Sequence, residues 1–148
     1  MRTNGQPNGT SGLKIRRYAA VQAGLRLDRL AFEVNRARRN TDPDTVHDLR
    51  VSIRRFVSCL KEFDQFFPKN EVKKIRKSLD ALMSLAGSIR DRDIATQLGE
   101  LAKLPPESPF LTALSQQRRE QMDQLALTLK PWAKQSRTLK WRQQLRLK

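Results

Sequence analysis

The chain has 148 residues, with 30 lysines and arginines against 15 acids, a formal net charge of +15 and a sequence pI near 11.1. A hydrophobic share of 38% and a mean hydropathy of −0.67 suit one soluble domain with narrow apolar seams, and only 6% aromatics argues against a sandwich or barrel. No apolar run approaches the roughly 20 residues of a membrane span, no signal-peptide core opens the chain, and the single Cys59 excludes an intrachain disulfide.

So large a charge imbalance repels itself in the folded state, and a polyanionic partner explains it most simply. Nucleic acid, polyphosphate and an anionic membrane surface all satisfy that condition. Charge alone does not choose among them.

Residues 1–12, MRTNGQPNGTSG, hold three of the six glycines and no apolar residue after Met1, which reads as a disordered tail ahead of one helical domain over 13–148. From Leu13 to about Arg39, Leu13, Ala20, Ala23, Leu27, Leu30 and Val34 recur at helical spacing, interleaved with Lys14, Arg16, Arg17, Arg26 and Arg29. NTDPD then interrupts the pattern, with Pro43 ending one element and Asp44 as the N-cap of the next. A second helix is expected from Thr45 to about Phe67, its seam being Val46, Leu49, Ile53, Phe56, Leu60, Phe63 and Phe67, and Pro68 stops it. Cys59 lies on this apolar face and reads as a small core residue.

A third helix, about Asn70 to Ala102, carries Val72, Ile75, Leu79, Leu82, Ala86 and Ile89 on one face, with Gly87 marking a kink or a close helix contact. LPPESP is a stiff linker to a fourth helix, roughly Ser108 to Lys130, with Leu111, Leu114, Leu125 and Leu129 inward. Pro131 interrupts it, and a basic final segment containing Trp132 and Trp141 suggests a short fifth helix. No β-type alternation survives several residues. The expected class is all-α, a bundle of four long antiparallel helices.

The stretch VHDLRVSIRR, Val46 to Arg55, carries a second message beside its seam. His47, Arg50 and Arg54 repeat the spacing of the apolar residues one position later, so they form a cationic row rotated about 100° from the seam. The row continues to Lys61, about 21 Å along the axis. It borders the seam, lacks interleaved glutamates, and begins at a helix N-terminus, where free N–H groups favour an anion. Lys73, Lys74, Arg76, Lys77 and Arg90 on the third helix, with Arg16 and Arg17 on the first, would extend it into one basic trough, and Arg55 is counted among the binding residues.

Catalytic chemistry finds little support. One His and one Cys do not make a zinc site, and neither a phosphate-binding glycine loop nor a nucleophile elbow is present. RDRD, Arg90 to Asp93, offers paired carboxylates, but flanking arginines point to internal ion pairing. The reading is a non-enzyme without cofactor or metal.

TVHDLRVSIRRFVSCLKEF, followed later by LMSLAGSIRDRDIATQL, resembles the CHAD family, the conserved histidine α-helical domain. The matching positions are His47, Arg50, Val51, Arg54, Arg55, Arg90, Asp91 and Asp93, within a resemblance that covers about Leu13 to Leu101. It implies a non-catalytic helical module that binds inorganic polyphosphate on a basic surface, in the cytoplasm and in association with polyphosphate granules. Family members usually carry two four-helix halves, each with a histidine–arginine motif. This chain has one histidine and the length of one half, so either it stands alone or two copies pair as a C2 homodimer. The alternative is a nucleic-acid-binding or regulatory protein in which Trp132 and Trp141 stack on bases. A basic C-terminal tail lying on an anionic membrane is a third reading.

Overall fold

The structure is a computed structural model and describes residues 9–147. Five helices follow in chain order: α1 (Gly9–Ala37), α2 (Pro43–Glu62), α3 (Lys69–Leu101), α4 (Pro109–Leu129) and α5 (Ser136–Gln144). Short 3-10 segments, Asp64–Phe66 and Lys130–Gln135, join α2 to α3 and α4 to α5, and no strand occurs among the described residues. The class is all-α, as the 3.6-residue periodicity requires.

Several boundaries differ from the sequence pattern for local reasons. Helix α1 begins at Gly9, so the expected tail is helical over 9–12, and its remainder, residues 1–8, lies outside the described residues. Pro43 opens α2 rather than ending α1, because a first-turn residue has no intrahelical N–H bond to lose and its φ is already helical. The N-cap is therefore Asp42, not Asp44, and Asp44 sits in the first turn, where its charge complements the helix dipole. Helix α2 stops at Glu62: Phe63 leaves helical geometry at φ −112°, the 3-10 turn reverses the chain, and Phe67 is extended ahead of Pro68.

The α2 seam is the centre of the core. Val46, Leu49, Ile53, Phe56 and Leu60 are buried, packed against Ala23, Leu27, Leu30 and Val34 of α1 on one flank and Ile75, Leu79, Leu82 and Ile89 of α3 on the other. Thr45, Ser52 and Cys59 fill the spaces between them, and burial pushes the Cys59 thiol pKa up. Leu13, expected on the inner face, is 66% exposed, because α1 runs past the end of its partners there. Helix α4 packs on the far side of α3 through Met122, Leu125 and Leu129, and the pairs Ser88–Gln121 and Arg92–Gln117 show the antiparallel register.

The four long helices do not close into a four-helix bundle by themselves. Helix α1 packs on α2, α2 on α3 and α3 on α4, while α1 and α4 are bridged by the Lys130–Gln135 segment and α5. A kink at Ala133 and Lys134, the latter at φ 56°, turns the chain back so that both tryptophans enter the core. The Trp141 ring stacks on Phe56 at 6.2 Å between centroids, and Trp132 meets it edge-on at 5.0 Å. Arg142 clasps the segment to α1, donating to Asp28 at 2.5 Å and to the Gly24 carbonyl at 3.4 Å.

Trp141→Ala would leave a cavity where Phe56 and Trp132 now meet the ring. Urea unfolding followed by circular dichroism should show a loss of about 3–5 kcal/mol, whereas exposed Leu127→Ala should stay within about 0.5 kcal/mol of the parent.

Candidate anion-binding surface

Helix α2 is held on both flanks, so its outward cations border two clefts rather than one. On the α3 side, Arg50 lies over Gly87. A Cβ at Gly87 would stand 3.7 Å from the Arg50 guanidinium, an ordinary contact, so the arginine head lies against α3 at this residue without requiring glycine there. Arg50 Nε is buried there and has no hydrogen-bond partner. Because the helices run antiparallel, this contact sets the register: Lys61 comes level with Arg76, and His47 with Arg90. Arg76 Nε is likewise buried and unpartnered.

At the Arg76 end the groove deepens into a cleft of about 440 Å³ lined by Lys69, Lys73, Arg76 and Lys77, with Asp64 and Asp80 among them. Among the described residues, none of Arg50, Lys61, Lys73, Arg76, Lys77 and Arg90 forms an ion pair with a carboxylate. Buried unpaired donors cost free energy in an empty site. An incoming anion with several oxygens would satisfy them.

The structure separates residues that one trough was expected to unite. Arg55, five residues beyond Arg50, is rotated about 140° around the helix. It lines a hollow of about 330 Å³ between α1 and α2, together with Arg54, Arg26, Gln22, Tyr18 and Phe63. A shallower continuation adds Arg29 beside Arg55 and Ser52. Arg54 is exposed near the crest of α2 and leans into this α1 hollow, not towards Arg50. His47, also exposed, stands on the same crest at the start of α2.

Arg17 belongs to neither cleft. It shares a row on α1 with Gly24 and Asp28, which face Arg142 of α5, on the flank turned away from the hollow. Arg16 instead lies over the Phe66 ring at 5.9 Å. Sequence reasoning also missed Arg26, Arg29 and Lys69 as cleft residues. The first two carried a usable signal, being spaced by three and bordering buried Leu27 and Leu30; Lys69 is placed only by the turn at Phe67 and Pro68.

The RDRD motif works differently from expectation. Asp93 is buried, and its partner is Arg118 of α4 rather than a neighbouring arginine. Arg118 also donates to the Thr41 carbonyl, so a single guanidinium ties α3, α4 and the loop before α2 together. Arg92 donates to Ser88 and Gln117, which leaves half-buried Arg90 without an acid. The α1–α2 contact consumes two more carboxylates. Glu33, 1% exposed, takes Arg29 and Arg36, and Arg36 reaches Asp48 at 2.7 Å, a bond that raises the Arg36 pKa. These acids are thus spent on structural pairs away from the α2–α3 groove, while Asp64 and Asp80 line the cleft at its Arg76 end without an ion pair among the described residues.

The base-stacking alternative loses its aromatic support here. Trp132 and Trp141 are core residues, so neither ring face is available to a base. Among the described residues no group of three or more His, Cys, Asp or Glu is gathered to hold a metal ion, and no helix is long and apolar enough to cross a membrane.

A family model described as the CHAD domain matches residues 21–148. The chain belongs to the CHAD family. The match runs through α4 and α5, further than the motif-bearing stretch to Leu101 suggested. No curated protein and no solved structure matches the chain.

If Arg50 and Arg76 are held for a ligand and not for folding, Arg50→Met and Arg76→Met should leave thermal stability unchanged or raise it slightly in anion-free buffer. The same variants should remove most of the rise in Tm that added polyphosphate produces in the parent. Cys59 should react slowly with thiol reagents at neutral pH until the protein is unfolded, because burial disfavours its thiolate.

Proposed function

We propose that this CHAD domain binds inorganic polyphosphate and performs no chemistry on it. One observation carries the reading: two guanidinium nitrogens on the adjacent helices α2 and α3, Arg50 Nε and Arg76 Nε, are both buried and unpartnered. Lys69, Lys73 and Lys77 line the cleft at Arg76 together with Asp64 and Asp80, and none of the three lysines forms an ion pair among the described residues. Membership of the family, which is linked to polyphosphate binding in general, supports the ligand class.

A linear phosphate chain presents no bases to read, so recognition comes from donor forks and point charges spaced along a groove. Arg50 and Arg76 supply the forks in the α2–α3 groove, with Arg90 and His47 at one end and Lys69, Lys73 and Lys77 at the other. Arg26, Arg54 and Arg55 give the chain a second place to rest once it crosses the crest of α2. A long polyanion then gains by occupying both clefts at once, while a short one fills a single cleft. Pairing of two copies would lengthen the trough further, and belongs to the same proposal. So do a cytoplasmic location and association with polyphosphate granules.

Nucleic acid is the competing polyanion, and the groove's lack of exposed aromatic side chains speaks against it. Labelled long-chain polyphosphate, challenged at physiological salt with duplex DNA, RNA and short phosphate oligomers, separates the two. The expected result is affinity that rises with polyphosphate length and weak displacement by DNA at matched phosphate. Equal displacement by DNA would transfer the function to nucleic acid. Arg50→Ala combined with Arg76→Ala should weaken polyphosphate binding about a hundredfold, as expected for two charged hydrogen-bonding groups. Each lost contact should flatten the salt dependence by roughly 0.7–0.9 in log–log slope. Arg119→Ala with Lys140→Ala, exposed cations on α4 and α5, should change little. Size-exclusion chromatography with and without ligand tests the pairing.

A further inference from the structure

The outward face of α1 carries an apolar feature that borders the α1–α2 hollow at Tyr18 and Leu25 but otherwise lies outside the clefts proposed for polyphosphate. Tyr18, Val21, Leu25 and Phe32 follow spacings of three, four and seven, so they stand in one line along the helix. They are 56%, 52%, 57% and 56% exposed, respectively. Fourteen residues at about 1.5 Å each make this an apolar ridge of roughly 21 Å. A phosphate chain offers nothing for it to bury against.

The ridge is framed by positive charge. Exposed Lys14 and Arg17 lie at one end and exposed Arg38 and Arg39, in the turn after α1, just past the other, none of them in an ion pair among the described residues. Arg29, paired with Glu33, lies beside the ridge with its guanidinium 5.1 Å from the Phe32 ring centre. The two acids of α1 are already engaged, Asp28 by Arg142 and Glu33 by Arg29 and Arg36. The partner of this face must therefore present hydrocarbon and negative charge together.

We propose that α1 rests on an anionic lipid bilayer, with Tyr18, Val21, Leu25 and Phe32 entering the headgroup–acyl boundary and the flanking cations at the phosphates. An amphipathic helix with a narrow apolar face and basic flanks binds in the plane of such an interface. Arginine stems lie along the apolar surface while their heads stay in the polar layer, the arrangement Arg29 already adopts over Phe32. A second copy is the poorer occupant, because self-pairing along this line would bring Arg29 and Lys14 of both chains together in a protein of net charge +15. An acidic helix of another protein would want a groove to lie in, whereas the face is a convex ridge with a hollow on its α2 side only.

Sedimentation of the full chain with phosphatidylcholine vesicles, with and without phosphatidylglycerol, tests the proposal. Binding is expected only to the anionic vesicles. Val21→Ser with Phe32→Ser should weaken it about tenfold or more, with an unchanged far-ultraviolet spectrum and unchanged polyphosphate affinity, since neither residue lines the clefts. Phe32→Trp should show a blue-shifted emission on the anionic vesicles, above the constant background of buried Trp132 and Trp141. Absence of binding to anionic vesicles would overturn the proposal. So would serine variants that bind like the parent, or a Phe32→Trp spectrum that stays unshifted on bound protein, since either means adsorption by charge alone. Lipid-free self-association that the serine variants abolish would assign the ridge to a second copy instead.

Discussion

Helix α2 is clamped along two flanks by a strip of large apolar side chains from Val46 to Leu60, and most of the architecture follows from that clamp. Phe56, one turn before the end of that strip, is fully buried and receives the Trp141 ring from the end of the chain. Since the strip covers less than half of the helix circumference, the remaining positions emerge at the margins of α1 and α3. Arginines at those margins border clefts, where their stems are packed and their heads are wet. An arginine on an unpacked helix would have had neither.

Charge allocation is the second constraint. With twice as many cations as acids, the fold places its carboxylates at joints between elements: Asp93 with Arg118 where α3, α4 and the loop before α2 meet, Glu33 and Asp48 with Arg36 between α1 and α2, and Asp28 with Arg142 where α5 docks. These pairs are partly or wholly shielded, where a broken pair costs most. The cations they leave over gather in the α2–α3 groove and the α1–α2 hollow. Their mutual repulsion makes the empty surface unfavourable, and a polyanion relieves it. The buried unpartnered nitrogens of Arg50 and Arg76 express the same tension locally.

Much of this was legible in the chain. The α2 seam, the α3 seam, the burial of Cys59 and the packing role of the two tryptophans follow from spacing and residue type, because a side chain's angular position on a helix is set by its number alone. The cationic row was legible for the same reason. Its division was not. Arg50 and Arg55 were grouped as neighbours in sequence, yet which cleft each enters depends on which helix flanks α2 on each side. Arg17 failed more completely, since the α1 flank it occupies is defined by α5, an element more than a hundred residues away. Asp93 and Arg118 form a long-range pair of the same kind, invisible to any local rule. Pro43 was misread because proline is as much at home in the first turn of a helix as beyond its last.

The amino-acid sequence by itself determined the all-α class, the identity of the buried strips and the excess of positive charge, since composition and a 3.6-residue period are properties of the chain alone. Tertiary structure decided which cations share a groove, which carboxylates are withdrawn from them, and that the C-terminal segment, not a direct α1–α4 contact, completes the core. Those outcomes depend on register and neighbour choice between helices. Both are expressed in long-range contacts such as Phe56 with Trp141 and Arg50 with Gly87, and no periodicity along one strand of sequence encodes them.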